Sequence, residues 1–283
     1  LAVAALEVLQ TKFDFEATLP AEVVAMNMDP QLAPRRTENE TDSYIPSTYA
    51  LNVSSPAMVD FQELTVIRPY NGTLKILVLA TSEWLLDVMD GSQTVFFNTG
   101  HHTTEMFVPL HHFSRSGFDF DFATQEGNEI ALEEWTFDLA VGYEDVIQAM
   151  RDSVSDRLAT PQKFDDITNL DAYAAVFIPG GHGPVIDLHL HESLGRILRM
   201  AHAQNLTTIS LCHGPNALRS AALGGDFPYS GYKIRIFPDM ADDWSPTVGY
   251  LPGYITEAMK AEANLKALGV EVENTEMDDS VSV

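Results

Sequence analysis

Ala174-Ala175-Val176-Phe177-Ile178-Pro179-Gly180-Gly181-His182-Gly183-Pro184 is an unbroken apolar run that empties into a glycine-rich loop. A strand without polar alternation is buried on both faces, as the strands of parallel sheets are. The same form occurs upstream at Lys75-Ile76-Leu77-Val78-Leu79-Ala80, behind Asn71-Gly72, and downstream at 207–211, which runs into Cys212. Around these runs the pattern changes to helical spacing. Met106, Leu110 and Phe113 share one face of 105–115, closed by Gly117, and 193–202 and 214–223 are helical stretches. Residues 118–123 alternate aromatic and acidic side chains and predict another strand, as does 232–237. A helix over about 256–268 and a strand at 270–272 close the pattern. Strands alternating with helices predict an α/β fold, a parallel sheet sandwiched by helices. The stretches 82–103 and 127–166 break the rhythm. Both follow strands, on the side where such sheets place their sites, and are expected to form a small cap. Residues 1–45, with Pro30, Pro34, Arg35, Arg36 and a polar run ending at Ser43, read as an N-terminal arm with one short helix near its start. The α/β domain is expected over 46–283.

At 283 residues, 45% hydrophobic and 20% charged, the chain suits one well-buried soluble domain. No apolar run approaches the roughly 18–20 residues that cross a bilayer. Leu1-Ala2-Val3-Ala4-Ala5-Leu6 is short and lacks a basic flank, so no signal peptide and a cytoplasmic location are expected. The first residue is not Met, which fits a fragment or processed form. A single cysteine excludes an intramolecular disulfide and a cysteine-based zinc cluster. A net charge of −25 repels phosphate backbones and anionic lipid, arguing against a general nucleic-acid or membrane binder.

Chemistry concentrates at two strand ends. In Ile209-Ser210-Leu211-Cys212-His213-Gly214-Pro215 the cysteine stands where a strand turns sharply into a helix. Backbone N–H groups and the helix dipole there stabilise negative charge, and a thiol so placed is expected to have a lowered pKa. His213 is adjacent and can act as a base. A lone cysteine is more often an inert buried residue; the Cys-His-Gly-Pro context reverses that. The loop 179–184 offers glycines that let backbone N–H groups turn inward, as an oxyanion hole requires.

The runs 176–183 and Ser210-Leu211-Cys212-His213-Gly214-Pro215 together resemble the ThiJ/PfpI superfamily, whose flavodoxin-like fold is related to class I glutamine amidotransferases. The resemblance is closer to its HchA-type branch of glutathione-independent glyoxalases and stress chaperones. It extends over Pro46-Ser47-Thr48-Tyr49-Ala50-Leu51, Asn98-Thr99-Gly100-His101-His102-Thr103-Thr104-Glu105, 231–239 and Val248-Gly249-Tyr250-Leu251-Pro252-Gly253. It implies Cys212 as nucleophile, His213 as triad histidine, Asp242 as the acid orienting it, and Glu105 as a carboxyl that contacts the sulfur. Gly181 and His213 would supply oxyanion N–H groups, with Gly180 and His182 beside them. On residue type alone, Asp242 and Asp239 could equally cap a turn, and Glu105 could be a helix-start acid.

The branch's metal site of two histidines and a glutamate aligns with Ser114, Asp119 and Arg151, so no metal is expected. The pairs His101-His102 and His111-His112 look like ligands, but His111 and His112 are adjacent on a helix and are not expected to face one ion together. The family also continues with a strand pair and a final helix, whereas this sequence stops at Asp278-Asp279-Ser280-Val281-Ser282-Val283. A shortened C-terminus exposing one sheet face is therefore expected.

The resemblance implies a cofactor-independent, cysteine-dependent lyase that converts a small 2-oxoaldehyde, methylglyoxal, to D-lactate. The same chemistry on glycated amino groups would be a deglycase activity. A chaperone holding unfolded proteins and a cysteine peptidase or amidase are the alternatives, and a homodimer is the expected assembly.

Overall fold

The computed structural model describes residues 32–37, 42–54 and 63–274. The helix expected near the start of the arm and the closing residues 278–283 lie outside them. The run Lys75–Leu79 is the centre of a five-stranded sheet ordered Thr207–Ser210, Tyr173–Ile178, Lys75–Leu79, Phe120–Thr124, Gln162–Lys163. All its pairs are parallel. Without the two-residue edge strand the order is 2-1-3-4, the flavodoxin-like order. The winding reverses between Lys75–Leu79 and Tyr173–Ile178, which opens a crevice outside their carboxyl ends.

Burial on both faces explains the lack of alternation in these strands. Leu77, Leu79, Val176 and Ile178 pack on one side against Leu194, Ile197, Leu198 and Ala201 of the helix Glu192–Ala203. Ile76, Val78, Ala175 and Phe177 pack on the other, against Met106, Phe107 and Leu110 of Thr103–Arg115 and Ile147, Met150 and Val154 of Glu144–Ala159. Each fully buried side chain contributes about 1.5–3 kcal/mol of transfer free energy. Among the described residues, no helix is long and apolar enough to cross a membrane.

The stretch 82–103 forms a hairpin, Leu85–Asp90 against Gln93–Asn98, turned at Gly91. Ser43–Ile45 pairs with its second strand and Arg35–Arg36 with Ser43–Ile45, so residues expected in the arm extend this sheet. Leu86, Val88 and Phe97 pack there with Trp135, Val185, Leu251 and Ile255. Within 127–166, Leu132–Glu133 pairs with His101–His102, while the helix Glu144–Ala159 is one layer of the sandwich.

Three expected elements differ. The helical stretch 214–223 is a 3-10 run, Gly214–Ala222. Only Lys233–Ile234 of 232–237 is a strand, because the Phe237 N–H donates to the Cys212 carbonyl (3.0 Å) instead of to a sheet partner. The helix predicted over 256–268 covers Ala261–Ala267. Asp239 caps its start, accepting the N–H groups of Glu262 (2.9 Å) and Ala263 (2.8 Å).

Candidate active site

Cys212 follows the strand Thr207–Ser210 with φ of 55°, a left-handed conformation that costs a non-glycine residue about 1–3 kcal/mol. Two backbone bonds hold it: Gly214 N–H to the Leu211 carbonyl (2.8 Å) and Phe237 N–H to the Cys212 carbonyl (3.0 Å). The turn presents the thiol to His213, with Sγ 3.4 Å from Nδ1. On the ring's far side, Nε2 lies 3.0 Å from Asp242 Oδ2 and 3.2 Å from Oδ1. A carboxylate only accepts, so Nε2 carries the proton and Nδ1 is left to receive the one on sulfur. His213 and Asp242 are both about 1% exposed. Burial raises the Asp242 pKa, but His213 and His182 outweigh it and hold the carboxyl well below the usual range.

Glu105 lies in the first turn of Thr103–Arg115, and its buried Oε2 has no hydrogen-bond partner. Gly180 explains how carboxyl and thiol come together. A Cβ there would stand 2.0 Å from Glu105 Oε2 and 2.4 Å from Cys212 Cβ. Gly181 has φ of 88°, and its N–H and that of His213 lie near enough to the sulfur to pull the thiol pKa down. The residues singled out in the sequence, Cys212, His213, Asp242, Glu105, Gly180, Gly181 and His182, thus converge at the carboxyl edge of the sheet.

The thiol departs from expectation. Although Cys212 keeps some exposed surface, burial drives its pKa well above the ordinary thiol value, and the Glu105 and Glu133 carboxylates add to the rise. The N–H groups of Gly181 and His213 pull it down without offsetting that. Burial beside two acids therefore dominates over the start of a short 3-10 run, and the resting group is a thiol.

His182 is buried between two acids, with Nε2 3.3 Å from Asp242 Oδ1 and Nδ1 3.6 Å from Glu133 Oε1. Burial lowers its pKa, but the two carboxylates prevail and raise it to about 9. Glu133, fully buried, gave no signal in the sequence, being one acid among 41. Tyr250 lay within a matching motif without a role. Its ring packs 5.6 Å from His182 and 5.7 Å from Trp135, and burial pushes its hydroxyl pKa well up. His101 is a strut. The Thr81 N–H donates to its Nε2 (2.9 Å), which leaves Nδ1 to donate to the Gly180 carbonyl (3.0 Å). Burial lowers its pKa to about 4, so it stays neutral.

At the aligned metal positions, Asp119 pairs with Arg157 (2.7 Å), and Arg151 pairs with Glu134 through two bonds of 2.8 and 2.6 Å. Those side chains are committed to ion pairs. His111 and His112 do approach a common point with Glu63, one donor atom of each lying within 4.8 Å of the others. Adjacency on the helix is thus no geometric bar, because the two rings, with centroids 5.4 Å apart, turn one nitrogen each toward the same side. Arg115 Nε lies 3.7 Å from Glu63 Oε2 and places a cation beside that set.

The DJ-1/PfpI family profile matches residues 93–233. The protein/nucleic acid deglycase HchA of Pseudomonas aeruginosa strain UCBPP-PA14 is 33% identical over 255 residues, covering 87% of this chain and 85% of that protein. That of Escherichia coli O1:K1 / APEC is 35% identical over 247 residues, covering 86% and 84%. The crystal structure of glyoxalase III from Candida albicans superposes with a TM-score of 0.56 at 18% identity, over 75% of this chain and 87% of that one, a likeness of fold.

Proposed function

The chain belongs to the DJ-1/PfpI family, and we propose that it is a cofactor-independent enzyme of the glyoxalase and deglycase type, with Cys212 as nucleophile. The line Sγ–Nδ1–Nε2–Oδ2 through Cys212, His213 and Asp242 is the observation that carries this reading. His213 Nδ1 takes the thiol proton as sulfur attacks the aldehyde carbon of methylglyoxal. The C–S bond forms, the carbonyl electron pair moves onto oxygen, and the N–H groups of Gly181 and His213 receive that charge. His213 passes its proton to this oxygen, giving a hemithioacetal. It then removes the proton on the same carbon and returns it to the neighbouring carbon through an enediol, while the hydroxyl proton crosses to the neighbouring oxygen. The resulting thioester takes up water, releasing lactate and restoring the thiol. The unpaired Glu105 Oε2, which shares the approach to Gly180 with Cys212, supports a role in holding the substrate hydroxyls.

The name of the HchA relatives favours attack on glycated amino groups as well, where sulfur displaces the amine from the carbinolamine carbon, the amine leaves with the thiol proton carried by His213, and the same hemithioacetal results. A net charge of −25 disfavours a nucleic-acid substrate held by its backbone and favours small oxoaldehydes or glycated proteins. Incubation with methylglyoxal without glutathione is expected to yield D-lactate, and Cys212→Ser to abolish it. Neither D-lactate nor adduct repair from the unmodified chain overturns the reading; Cys212-dependent adduct repair without D-lactate from free methylglyoxal would identify the deglycase branch.

A further inference from the structure

Glu133 is a buried charge beside the Cys212–His213–Asp242 line that the line does not use. It stands on Leu132–Glu133, paired to His101–His102, and is fully buried. Its Oε1 accepts the Thr99 hydroxyl (2.7 Å) and the His182 backbone N–H (3.0 Å), and faces His182 Nδ1 at ion-pair distance, 3.6 Å. Across the ring, His182 Nε2 faces Asp242 Oδ1 (3.3 Å), the carboxylate that also holds His213. Each nitrogen of His182 therefore looks at an oxygen that can only accept a proton. A neutral imidazole satisfies one such neighbour; an imidazolium satisfies both. Two buried carboxylates without a cation between them would also be costly.

We propose that Glu133 is a positioning residue that keeps His182 doubly protonated, so that His182 donates to Asp242 Oδ1 and Asp242 presents Oδ2 to His213. The line at the thiol then extends inward as Cys212–His213–Asp242–His182–Glu133–Thr99. The groups packed on His182 are Glu133, Asp242, His213, the Tyr250 phenol and the rings of Phe97 and Phe237. Of these only the two acids carry negative charge at neutral pH, because burial and the nearby carboxylates raise the Tyr250 pKa. Burial alone would leave His182 neutral, and Asp242 and Glu133 reverse that balance. The inference assigns Glu133 a part in the activity proposed above, but its central claim concerns a protonation state that no substrate is needed to read.

Imidazole nitrogen NMR of the full chain, labelled in its nine histidines, tests it. One ring, lost in His182→Asn and showing cross-peaks to Phe97 and Tyr250, is expected as an imidazolium at pH 7.5, with a midpoint near pH 9. Glu133→Gln is expected to lower that midpoint by about one unit or more and to cut kcat about tenfold at unchanged KM; Glu133→Asp restores both in part. A neutral His182 at pH 7.5 in the unmodified chain overturns the proposal, and so does an imidazolium that persists in Glu133→Gln. If the variants do not fold, the titration of the unmodified chain decides alone. An inactive chain with a charged His182 would count against the proposed activity and leave this assignment standing.

Discussion

The reactive sulfur is held by opposing effects whose balance can be measured. Burial with Glu105 and Glu133 nearby keeps Cys212 a thiol, so its alkylation by iodoacetamide should climb with pH and level off only above the ordinary thiol range. A plateau near neutrality would show a preformed thiolate instead. Deprotonation then depends on His213 at the moment of attack, and Asp242→Asn, which leaves the ring free to adopt the wrong tautomer, should lower kcat by about 10²–10⁴-fold. The buried ions also set a pH dependence of stability. His182 has a folded pKa of about 9 against an ordinary 6.5, so its contribution is complete below pH 6.5 and is lost as pH rises through 9. Asp242 and Glu133 have lowered values, so theirs are present above the usual carboxylate range and fade in acid. Calorimetry should find Tm falling between pH 6.5 and 9; a flat Tm over that window contradicts the buried imidazolium.

Between elements, two glycines mark close approaches of one segment to another, one at the site and one away from it. At Gly180 a Cβ meets the movable Glu105 carboxyl (2.0 Å) and Cys212 Cβ (2.4 Å). Cys212 Cβ is fixed to its backbone and the Leu211 carbonyl oxygen would stand 2.9 Å away, so Gly180→Ala should displace the reacting groups and lower both kcat, about tenfold or more, and Tm. At Gly195, in the helix Glu192–Ala203, a Cβ stands 2.0 Å from the Ser220 carbonyl oxygen, a backbone atom of the 3-10 run that follows the cysteine. Gly195→Ala forces two elements apart and should cost about 1–3 kcal/mol in urea unfolding despite alanine's better helix propensity. A neutral Gly195→Ala would mean that the helix and the 3-10 run do not pack this closely.

Across the whole molecule, 41 acidic against 16 basic residues make self-repulsion a general load on the fold. Raising NaCl from about 10 to 200 mM shortens the screening length several-fold, so Tm should rise over that range; a Tm that falls would mean that local ion pairs dominate. What the amino-acid sequence determined by itself was the parallel core and the place of the nucleophile. Unbroken apolar runs such as 174–178 can be satisfied only between two layers, and the Cys-His-Gly-Pro turn is a local feature. Glu105 and Asp242 were legible only through resemblance, since an isolated acid has no pattern. Tertiary structure alone decided what local spacing cannot carry: that Asp239 caps a helix whereas Asp242, three residues on, faces His213, and that Arg35–Arg36 and Ser43–Ile45 join the hairpin sheet. It also decided that Glu133 meets His182 across 49 positions of sequence. The charge state of each group follows from burial and from partners brought by distant segments, which no sequence window contains.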